Sequence, residues 1–365
     1  MSSVDSTMTR PQTRRPRRRG LGRAALHSTT GHRSTGRVRL VAVGGLLALV
    51  TAACGTGGYP ETPLTPSVTT SASATSAGPT TATPASKCAP APNGFDPLQS
   101  YTPLASLTGA GARIDAIRSR GYLIAGVSSD TLLMGARNPL TGQIEGFDID
   151  LVRELAKSIL GDPSKVQLVV ITAAQRQSVL VERKVDVVAR NMTMNCVRWL
   201  DWPIAFSAEY YRSGQKVLVR KGSTAASLED LAAAKAKVCA PSGTTSMDKL
   251  KTYEAKGVVP VSAANHTGCL VLFQQSAVEA ITGDDTVLAG LVAQDPYAVV
   301  PAQQAITAEP YGLGFNAGDQ QLVRYANKLL DDMRADGRWK ALYDKWLAPS
   351  LGPAPAPPTP VYGRA

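Results

Sequence analysis

The chain has 365 residues and a net charge of +11, and most of that charge lies in its first 39 residues. This leader contains ten arginines, no lysine and one acid, Asp5, and carries +9, so residues 40–365 carry only +2. The basic balance therefore describes a leader, and we expect no nucleic-acid-binding surface.

The leader is typical of a bacterial export signal. After "RRPRRRG" comes the apolar run "LVAVGGLLALVTAAC", which is too short and too glycine-rich to span a membrane comfortably. Small residues before Cys54 resemble a lipobox, which predicts a signal peptide over 1–53 and a lipid on Cys54. Ordinary cleavage near Ala53 is the alternative, Sec and twin-arginine export both stay open, and Met8 is an alternative start.

Low-complexity segments border the folded part. Residues 54–87 are rich in Ser, Thr and Pro and predict a disordered tether, and 352–365 predict a disordered Pro-rich tail. The 264 residues of 88–351 are enough for one large or two modest domains.

Cysteine usage agrees with export. Four further cysteines, Cys88, Cys196, Cys239 and Cys269, predict two disulfides with three possible connectivities. No spacing indicates a metal site. His266 is the only histidine after the leader, and we interpret it as a surface or capped residue rather than a ligand or base.

Strand and helix patterns alternate through the rest of the chain. In order they are "GYLIAGVSS", "GFDIDLVRELAKSILGD", "KVQLVVI", "QRQSVLVERK", "VDVVA", "SLEDLAAAK", "KVCAPSG", "SMDKLKTYEAK" and "GVVPVS". They predict a mostly parallel α/β layer, closed by the helical segment "DQQLVRYANKLLDDMRADGRWKALYDKWL" with its apolar stripe in the core. No glycine-rich nucleotide motif follows a strand, so no cofactor is expected.

The order of several short motifs resembles a known family. "GFDIDL" is followed by "TMNCVRWLDWPIAFSAEYY", "GTTS", "VEAITGDD" and "YGLGF". From about Gly121 to Leu347 this is similar to the polar amino-acid-binding proteins of bacterial ABC importers, the family 3 solute-binding proteins. The lipobox and tether suit a Gram-positive or actinobacterial member.

The resemblance implies an α/β protein with the two-lobed type II periplasmic-binding-protein fold. Lobe 1 would comprise 88–215 and 311–351, and lobe 2 would comprise 216–310. Two crossover strands, near 211–215 and 310–312, would form a hinge beside the ligand cleft. It also implies a monomer held by its lipid at the outer face of the cell membrane.

The resemblance assigns the ligand's α-carboxylate to Arg198, and Thr193, five residues earlier, would add its hydroxyl or backbone N–H. Thr244 and Thr245 match the family's second carboxylate-binding pair, at a helix N-terminus whose free N–H groups and dipole favour an anion. A surface salt bridge is the alternative for Arg198, and simple N-capping is the alternative for the threonines.

The α-ammonium would be bound by Asp284 and the backbone carbonyl of Asn191. Ser128 occupies the place of another family acceptor after the first strand, and Asp130 follows two residues later.

Two further arginines bear on the ligand's side chain. Arg176 lies where glutamate- and aspartate-binding members carry an arginine, although a solvated arginine at a helix start is the alternative. Arg190 is a second positive candidate. Two arginines and one dominant acid favour a free L-amino acid with two carboxylates, Glu or Asp, followed by Asn or Gln.

The implied layout places Cys239 and Cys269 in lobe 2 and favours their pairing, with Cys88–Cys196 in lobe 1. Delivery of the amino acid to an ABC permease is the expected function. The alternative is a sensor that reports to a membrane signalling partner. An enzyme of the cyclohexadienyl dehydratase or murein-cleaving kind is disfavoured, so we expect no catalytic residues.

Overall fold

The structure is a computed structural model, and it describes residues 86–88, 92–109 and 111–364. The expected signal peptide, the lipidation site at Cys54 and most of the expected tether lie outside the described residues. Within the described part, no helix has the length and apolar character needed to cross a membrane.

The strands and helices of the described residues are as follows. The strands are β1 (Gln99–Tyr101), β2 (Leu123–Val127), β3 (Asp130–Thr131), β4 (Gly135–Arg137), β5 (Ile144–Glu145), β6 (Val166–Val170), β7 (Val187–Ala189), β8 (Ile204–Phe206), β9 (Tyr211–Arg220), β10 (Lys237–Pro241), β11 (Val259–Ala263), β12 (Ala280–Asp284), β13 (Ala298–Val299), β14 (Ala308–Tyr311), β15 (Gly314–Asn316) and β16 (Val361–Arg364). The helices are α1 (Ala112–Arg120), α2 (Phe147–Leu160), α3 (Arg176–Val181), α4 (Cys196–Leu200), α5 (Leu228–Ala233), α6 (Thr245–Lys251), α7 (His266–Gln274), α8 (Asp285–Val292), α9 (Gln320–Ala335), α10 (Arg338–Trp346) and α11 (Ala348–Leu351).

The first lobe is built on a five-stranded sheet with the order β6-β2-β7-β15-β8. Its first three strands are parallel, and β15 lies antiparallel between β7 and β8. Helix α2 follows the predicted apolar spacing and ends at Gly161, whose left-handed backbone (φ 75°) lets its N–H donate to the carbonyl of Lys157. The strand-helix alternation predicted from the sequence is confirmed here.

The second lobe has its own sheet, with the order β11-β10-β12-β9-β13. Strand β10 lies parallel to β11 and β12, and β9 is antiparallel to β12. Helices α5 and α6 contribute Leu228 and Leu250 to one hydrophobic cluster, whereas α7 and α8 contribute Phe273 and Leu288 to another. Apolar packing on both faces accounts for the continuous apolar character of "KVCAP".

The chain passes between the two sheets in β9 and β14. These strands pair antiparallel, with Tyr211 opposite Tyr311 and Gly214 opposite Ala308. The two-lobed α/β fold class that the sequence predicted is confirmed. The parallel strands β2, β7, β10 and β12 end toward the junction of the lobes, where open α/β sheets place their ligand sites.

The two disulfides join Cys88 to Cys196 and Cys239 to Cys269. The second lies inside the second lobe, between β10 and α7. The first holds the incoming chain against α4. Next to it, Ser86 and Lys87, which we assigned to the disordered tether, contact the carboxylate of Asp201 at 2.6 and 2.8 Å.

The end of the chain differs from the prediction of a disordered tail. Strand β16 pairs parallel with β1, and Tyr362 donates to Asp331 at 2.7 Å. The Arg364 guanidinium donates to the carbonyls of Gln99 and Asp96. Composition does not reveal this order because its cause is a partner strand more than 250 residues away.

The closing helical segment also differs in detail. It divides at Gly337, whose φ of 84° ends α9 and starts α10. The predicted core stripe of α9 is confirmed, since Leu322, Tyr325, Leu329 and Met333 are buried.

Candidate ligand-binding cleft

Buried polar side chains converge where the two lobes meet. Charged side chains are rarely buried unless they are paired, so a cluster of them indicates a site. The fully or nearly buried members are Ser128, Asp148, Arg176, Arg190, Asn191, Thr193, Arg198, Thr244, Asp284 and Glu309. Thr245 and Asp130 are half-buried beside them.

Arg198 is a buried residue and not a surface salt-bridge former. Asn195 caps α4 by accepting from the Arg198 N–H at 2.9 Å, and Nη1 of Arg198 donates to the Thr193 carbonyl at 2.7 Å. Its guanidinium carbon lies 5.4 Å from the centre of the Trp202 ring. The short helix α4 therefore fixes the guanidinium beside Thr193.

Arg176 starts α3 but is not solvated, so that alternative is wrong. Its Nε donates to the Ala173 carbonyl at 2.9 Å, and Nη2 crosses to the Gly243 carbonyl of the second lobe at 2.8 Å. Nη1 lies 3.3 and 3.4 Å from the carbonyls of Arg190 and Asn191. The Asn191 carbonyl, our expected ammonium acceptor, therefore faces a guanidinium and has one lone pair left.

The guanidinium of Arg190 uses only one of its nitrogens in a hydrogen bond to the described residues. Its Nε donates to the Ile171 carbonyl at 2.9 Å, and no described residue accepts from its two Nη nitrogens. Arg190 is only 6% exposed, so these donors are largely shielded from bulk water.

None of these three arginines has a carboxylate oxygen within 4 Å among the described residues. Burial lowers the pKa of Arg176, Arg190 and Arg198, although arginine stays protonated in proteins. Three buried cations without an ion pair favour an anionic partner that enters the cleft.

Hydrogen bonds separate the arginines along the cleft. Nη1 of Arg198 bonds the Thr193 carbonyl, next to Glu309, whereas Nη1 of Arg176 lies near the carbonyls of Arg190 and Asn191. The charges that act on each arginine agree with this order. After burial, Glu309 and Asp284 have the largest effects on the pKa of Arg198, and Asp130 and Asp148 on that of Arg190. The pKa of Arg176 responds to both other arginines and to Asp284. The cleft thus has an Arg198 end, an Arg190 end, and Arg176 with Asp284 between them.

Asp284 ends β12 and is buried among these polar side chains. It accepts a 2.5 Å hydrogen bond from the Tyr311 hydroxyl. Burial and the nearby Glu309 raise the pKa of Asp284 to about 7. A ligand ammonium at this position would restore its charge.

The side chains of Ser128 and Asp130 form hydrogen bonds with each other and with the second lobe. Ser128 donates to Asp130 at 2.8 Å, and Thr267 of the second lobe donates to the other carboxylate oxygen at 2.5 Å. Asp130 therefore joins the two lobes in this structure.

Thr244 caps α6, because its Oγ1 accepts from the Met247 N–H at 3.1 Å. Its hydroxyl donates to the Pro241 carbonyl at 2.7 Å, so the capping alternative holds for this side chain. Thr245 behaves differently and points toward Glu309.

Sequence reasoning missed Glu309 of β14. Its carboxylate accepts from Thr193 at 2.6 Å, from Thr245 at 2.7 Å and from Thr307 at 2.6 Å. A cavity of about 440 Å³ opens on this network. Glu309 thus accepts hydrogen bonds from the hydroxyls of Thr193 and Thr245, which we had assigned to a ligand carboxylate. No motif in "TAEPYG" predicts that role.

Asp148 was also missed, although it lies in the quoted motif "GFDID". It accepts from the Tyr210 hydroxyl at 2.7 Å and from the Asn191 N–H at 2.8 Å, and burial raises its pKa to about 6. The signal in the sequence was that Asp148, an acid, lies on the apolar side of a predicted helix. It holds Asn191 in its left-handed conformation, φ 35°.

Fold and site together define a two-lobed extracytoplasmic solute-binding protein of the type II periplasmic-binding-protein class. The chain belongs to the bacterial extracellular solute-binding proteins, family 3, whose family model matches residues 123–349. The resemblance seen in the sequence is confirmed.

Several individual relatives are named as binding proteins for particular amino acids. The chain is 32% identical over 232 residues to the ABC transporter glutamine-binding protein GlnH of Bacillus subtilis (strain 168), covering 64% of this chain and 83% of that one. It is 30% identical over 248 residues to the glutamate/glutamine/aspartate/asparagine-binding protein BztA of Rhodobacter capsulatus, covering 66% and 72%. A solved ancestral arginine-binding protein bound to glutamine matches with a TM-score of 0.58 and 31% identity, over 62% of this chain and 98% of that one.

Proposed function

We propose that the protein captures an acidic amino acid, Glu or Asp first and Asn or Gln second, between its lobes and delivers it to an ABC permease. One observation carries the proposal: three buried arginines, none with a carboxylate oxygen within 4 Å among the described residues, lie around Asp284 at the end of β12.

We infer one orientation for the ligand in this arrangement. Its α-carboxylate would lie at the Arg198 end, its ammonium at Asp284, and its side-chain carboxylate at the free Nη groups of Arg190. Arg176 would support both carboxylates from the middle while bonding the Gly243 carbonyl across the cleft. The relative named for all four of these amino acids supports the ligand set.

Binding rather than catalysis is the better account of the central acid. A proton-transfer enzyme also needs an acid with a pKa near neutrality, and the pKa of Asp284 is raised to about 7. However, the arginines on both sides favour a ligand that carries carboxylates. If that ligand is an amino acid, its ammonium would return Asp284 to the ionised form. Product release from prephenate or peptidoglycan would overturn this view.

Isothermal titration of the purified protein with Glu, Asp, Gln and Asn tests the proposal. We expect micromolar or tighter binding, strongest for the two acids. Arg118→Ala, on the exposed face of α1, is the matched control and should leave affinity unchanged. Failure of all four ligands to bind would refute the proposal.

Two parts of the proposal concern partners. A lipid on Cys54 would hold the protein at the outer face of the membrane, and mass spectrometry of the membrane-extracted protein would detect it. Capture of an ABC permease by cross-linking would support transport. Capture of a signalling protein would instead support the sensor alternative.

A further inference from the structure

A glycine of the second lobe receives the backbone of the first lobe. Gly290 is a buried residue of α8, and a side-chain carbon there would lie 2.7 Å from the carbonyl oxygen of Leu132 and 3.3 Å from its carbonyl carbon. Carbon and oxygen atoms in contact are normally about 3.3–3.6 Å apart. The lobes therefore come this close only because residue 290 has no side chain.

Helix α8 itself does not require this glycine. Gly290 is absent from the glycines with positive φ, so an ordinary residue could adopt its backbone conformation. Glycine also stabilises a helix less than alanine does. The close approach of Leu132 is thus the feature of the structure that accounts for a glycine at this position.

The first-lobe turn that contacts Gly290 is held firmly within its own lobe. The Met134 N–H donates to the Thr131 carbonyl at 3.1 Å, and Leu133 has a φ of 77°. The Leu133 carbonyl accepts from the Phe147 N–H at 2.9 Å, which ties the turn to the start of α2. A side chain at the glycine would therefore push the first lobe away rather than deform this turn.

The same turn makes a polar contact with the neighbouring helix of the second lobe. Asp130, two residues before Leu132, accepts a hydrogen bond from the Thr267 hydroxyl at 2.5 Å. On its own side Asp130 is held by the Ser128 hydroxyl at 2.8 Å. One short segment of the first lobe therefore contacts both α7 and α8.

The start of α7 is fixed in turn within the second lobe. The Cys239–Cys269 disulfide joins it to β10, and Asn265 caps its first turn. His266 is half-buried rather than fully at the surface, and its Nε2 atom fills the space that Gly283 of β12 leaves free. Neither partner of the contact between the lobes can shift without moving its whole lobe.

We propose that Asp130 and Leu132 of the first lobe and Thr267 and Gly290 of the second form a latch that sets how far the lobes close, with Gly290 as its positioning residue. A side-chain carbon at residue 290 would hold the lobes apart by roughly 0.6–0.9 Å at this point. The hydrogen bond between Thr267 and Asp130 would lengthen by a similar amount and weaken.

This inference rests on the proposed function, because closure matters here for retaining a bound amino acid. Neither Gly290 nor Thr267 belongs to the proposed ligand contacts. The latch therefore governs how long an amino acid is held, and not which amino acid is chosen.

Stopped-flow kinetics and titration calorimetry of Gly290→Ala test the latch. The ligand enters the open form, so association rate constants should be unchanged, whereas dissociation of Glu, Asp, Gln and Asn should become roughly tenfold faster. The affinity should fall by the same factor for all four. Ala293→Ser adds one atom at the exposed end of the same helix and, as the control, should behave as the wild type.

The unfolding temperature separates a latch from a packing role inside the second lobe. Alanine is the better helix former, and the open form relieves the contact with Leu132. The midpoint of ligand-free Gly290→Ala should therefore equal or exceed that of the wild type. A lower midpoint would assign the glycine to packing within its lobe and overturn the latch.

Thr267→Val removes the other half of the latch while keeping the shape of the side chain. By itself it should also speed the dissociation of all four amino acids. In the double variant with Gly290→Ala, the combined effect should be smaller than the product of the separate factors, because both changes break one contact. Full multiplication would show two independent contacts and overturn the latch.

The remaining outcomes separate this inference from the proposed function. Wild-type dissociation rates in Gly290→Ala would overturn the latch and leave the proposed function standing. A loss confined to some of the four amino acids would place residue 290 in the ligand-binding site instead. Absence of any amino-acid binding by the wild type would overturn both.

Discussion

At the residue scale, the site concentrates buried charge that the protein itself only partly compensates. Backbone carbonyls accept from Arg176, Arg190 and Arg198, but no described carboxylate pairs with them at close range. Carbonyl dipoles lower the cost of a buried guanidinium without neutralising it. A ligand carboxylate that pairs with these guanidinium groups would therefore stabilise the site.

Arg198→Ala should abolish most binding, because it leaves a ligand carboxylate buried without its donor. Loss of one partner of a buried charged pair costs roughly 2–5 kcal/mol, which is about 30-fold or more in affinity. Titration calorimetry with all four amino acids should show a similar loss for each. An affinity within threefold of the wild type would remove Arg198 from the site.

Arg190→Met and Arg176→Met should have different effects. Arg190 has free donors at the side-chain end, so its loss should weaken Glu and Asp at least tenfold more than Gln and Asn. Arg176 bonds the opposite lobe, so its loss should weaken all four ligands together. Affinities of both variants for the four ligands check this, and a reversed pattern would exchange the two roles.

Asp284 should make the stability of the ligand-free protein fall as pH rises. Its pKa is about 7 in the folded state and 3.8 in the unfolded chain, so the folded protein holds the extra proton between those values. The free energy of unfolding should decrease through this window, by an amount on the order of a few kcal/mol at most. Urea unfolding at several pH values should show a flatter profile for Asp284→Asn, and an unchanged profile would contradict this assignment.

At the scale of elements, short segments position the site. Helix α4 has only five residues, yet its cap residue Asn195 and the Cys88–Cys196 bond fix the start of the helix. Strand β16 reaches the same region from the end of the chain. The Arg364 guanidinium lies 3.9 Å from the centre of the Trp199 ring, beside Arg198 in sequence.

Deletion of residues 352–365 should therefore destabilise the protein although it removes a proline-rich tail. Loss of the β1–β16 pairing and of the Arg364 contacts should cost roughly 1–3 kcal/mol, measured by urea unfolding. Amino-acid affinity should change little, because Thr193 and Asn195 hold Arg198 independently. Stability equal to that of the full chain would show that β16 contributes nothing in solution.

At the scale of the whole molecule, polar contacts join the lobes. Arg176 reaches Gly243, Thr267 reaches Asp130, and Glu309 accepts from Thr193 of one lobe and Thr245 of the other. Closure of such lobes around a ligand is a hinge motion. If the lobes open and close in this way, we expect these contacts to favour the closed form and to lower the energy that a ligand must supply.

Glu309→Gln should shift the ligand-free protein toward an open form. The amide keeps the shape of the side chain but weakens the charge-assisted hydrogen bonds from Thr193 and Thr245. Small-angle scattering should show a larger radius of gyration without amino acid and a normal compact form with it. The same radius in both proteins would mean that Glu309 does not hold the lobes together.

The sequence by itself determined the class of fold, the alternation of its elements and most of the site's ingredients. Apolar spacing and Gly161 defined α2, and motif order indicated Arg198 and Asp284, because such features depend on neighbours close in the chain. The same local signals suggested two disulfides but left their connectivity open until the family layout was considered.

Only the tertiary structure decided which of these groups meet. Glu309 bonds Thr193 across 116 residues, Thr267 bonds Asp130 across 137, and His266 takes the space beside Gly283. The tail became a strand for the same reason. Each outcome depends on a partner distant in sequence, and burial at that contact, rather than local preference, sets the charge and the role of the side chain.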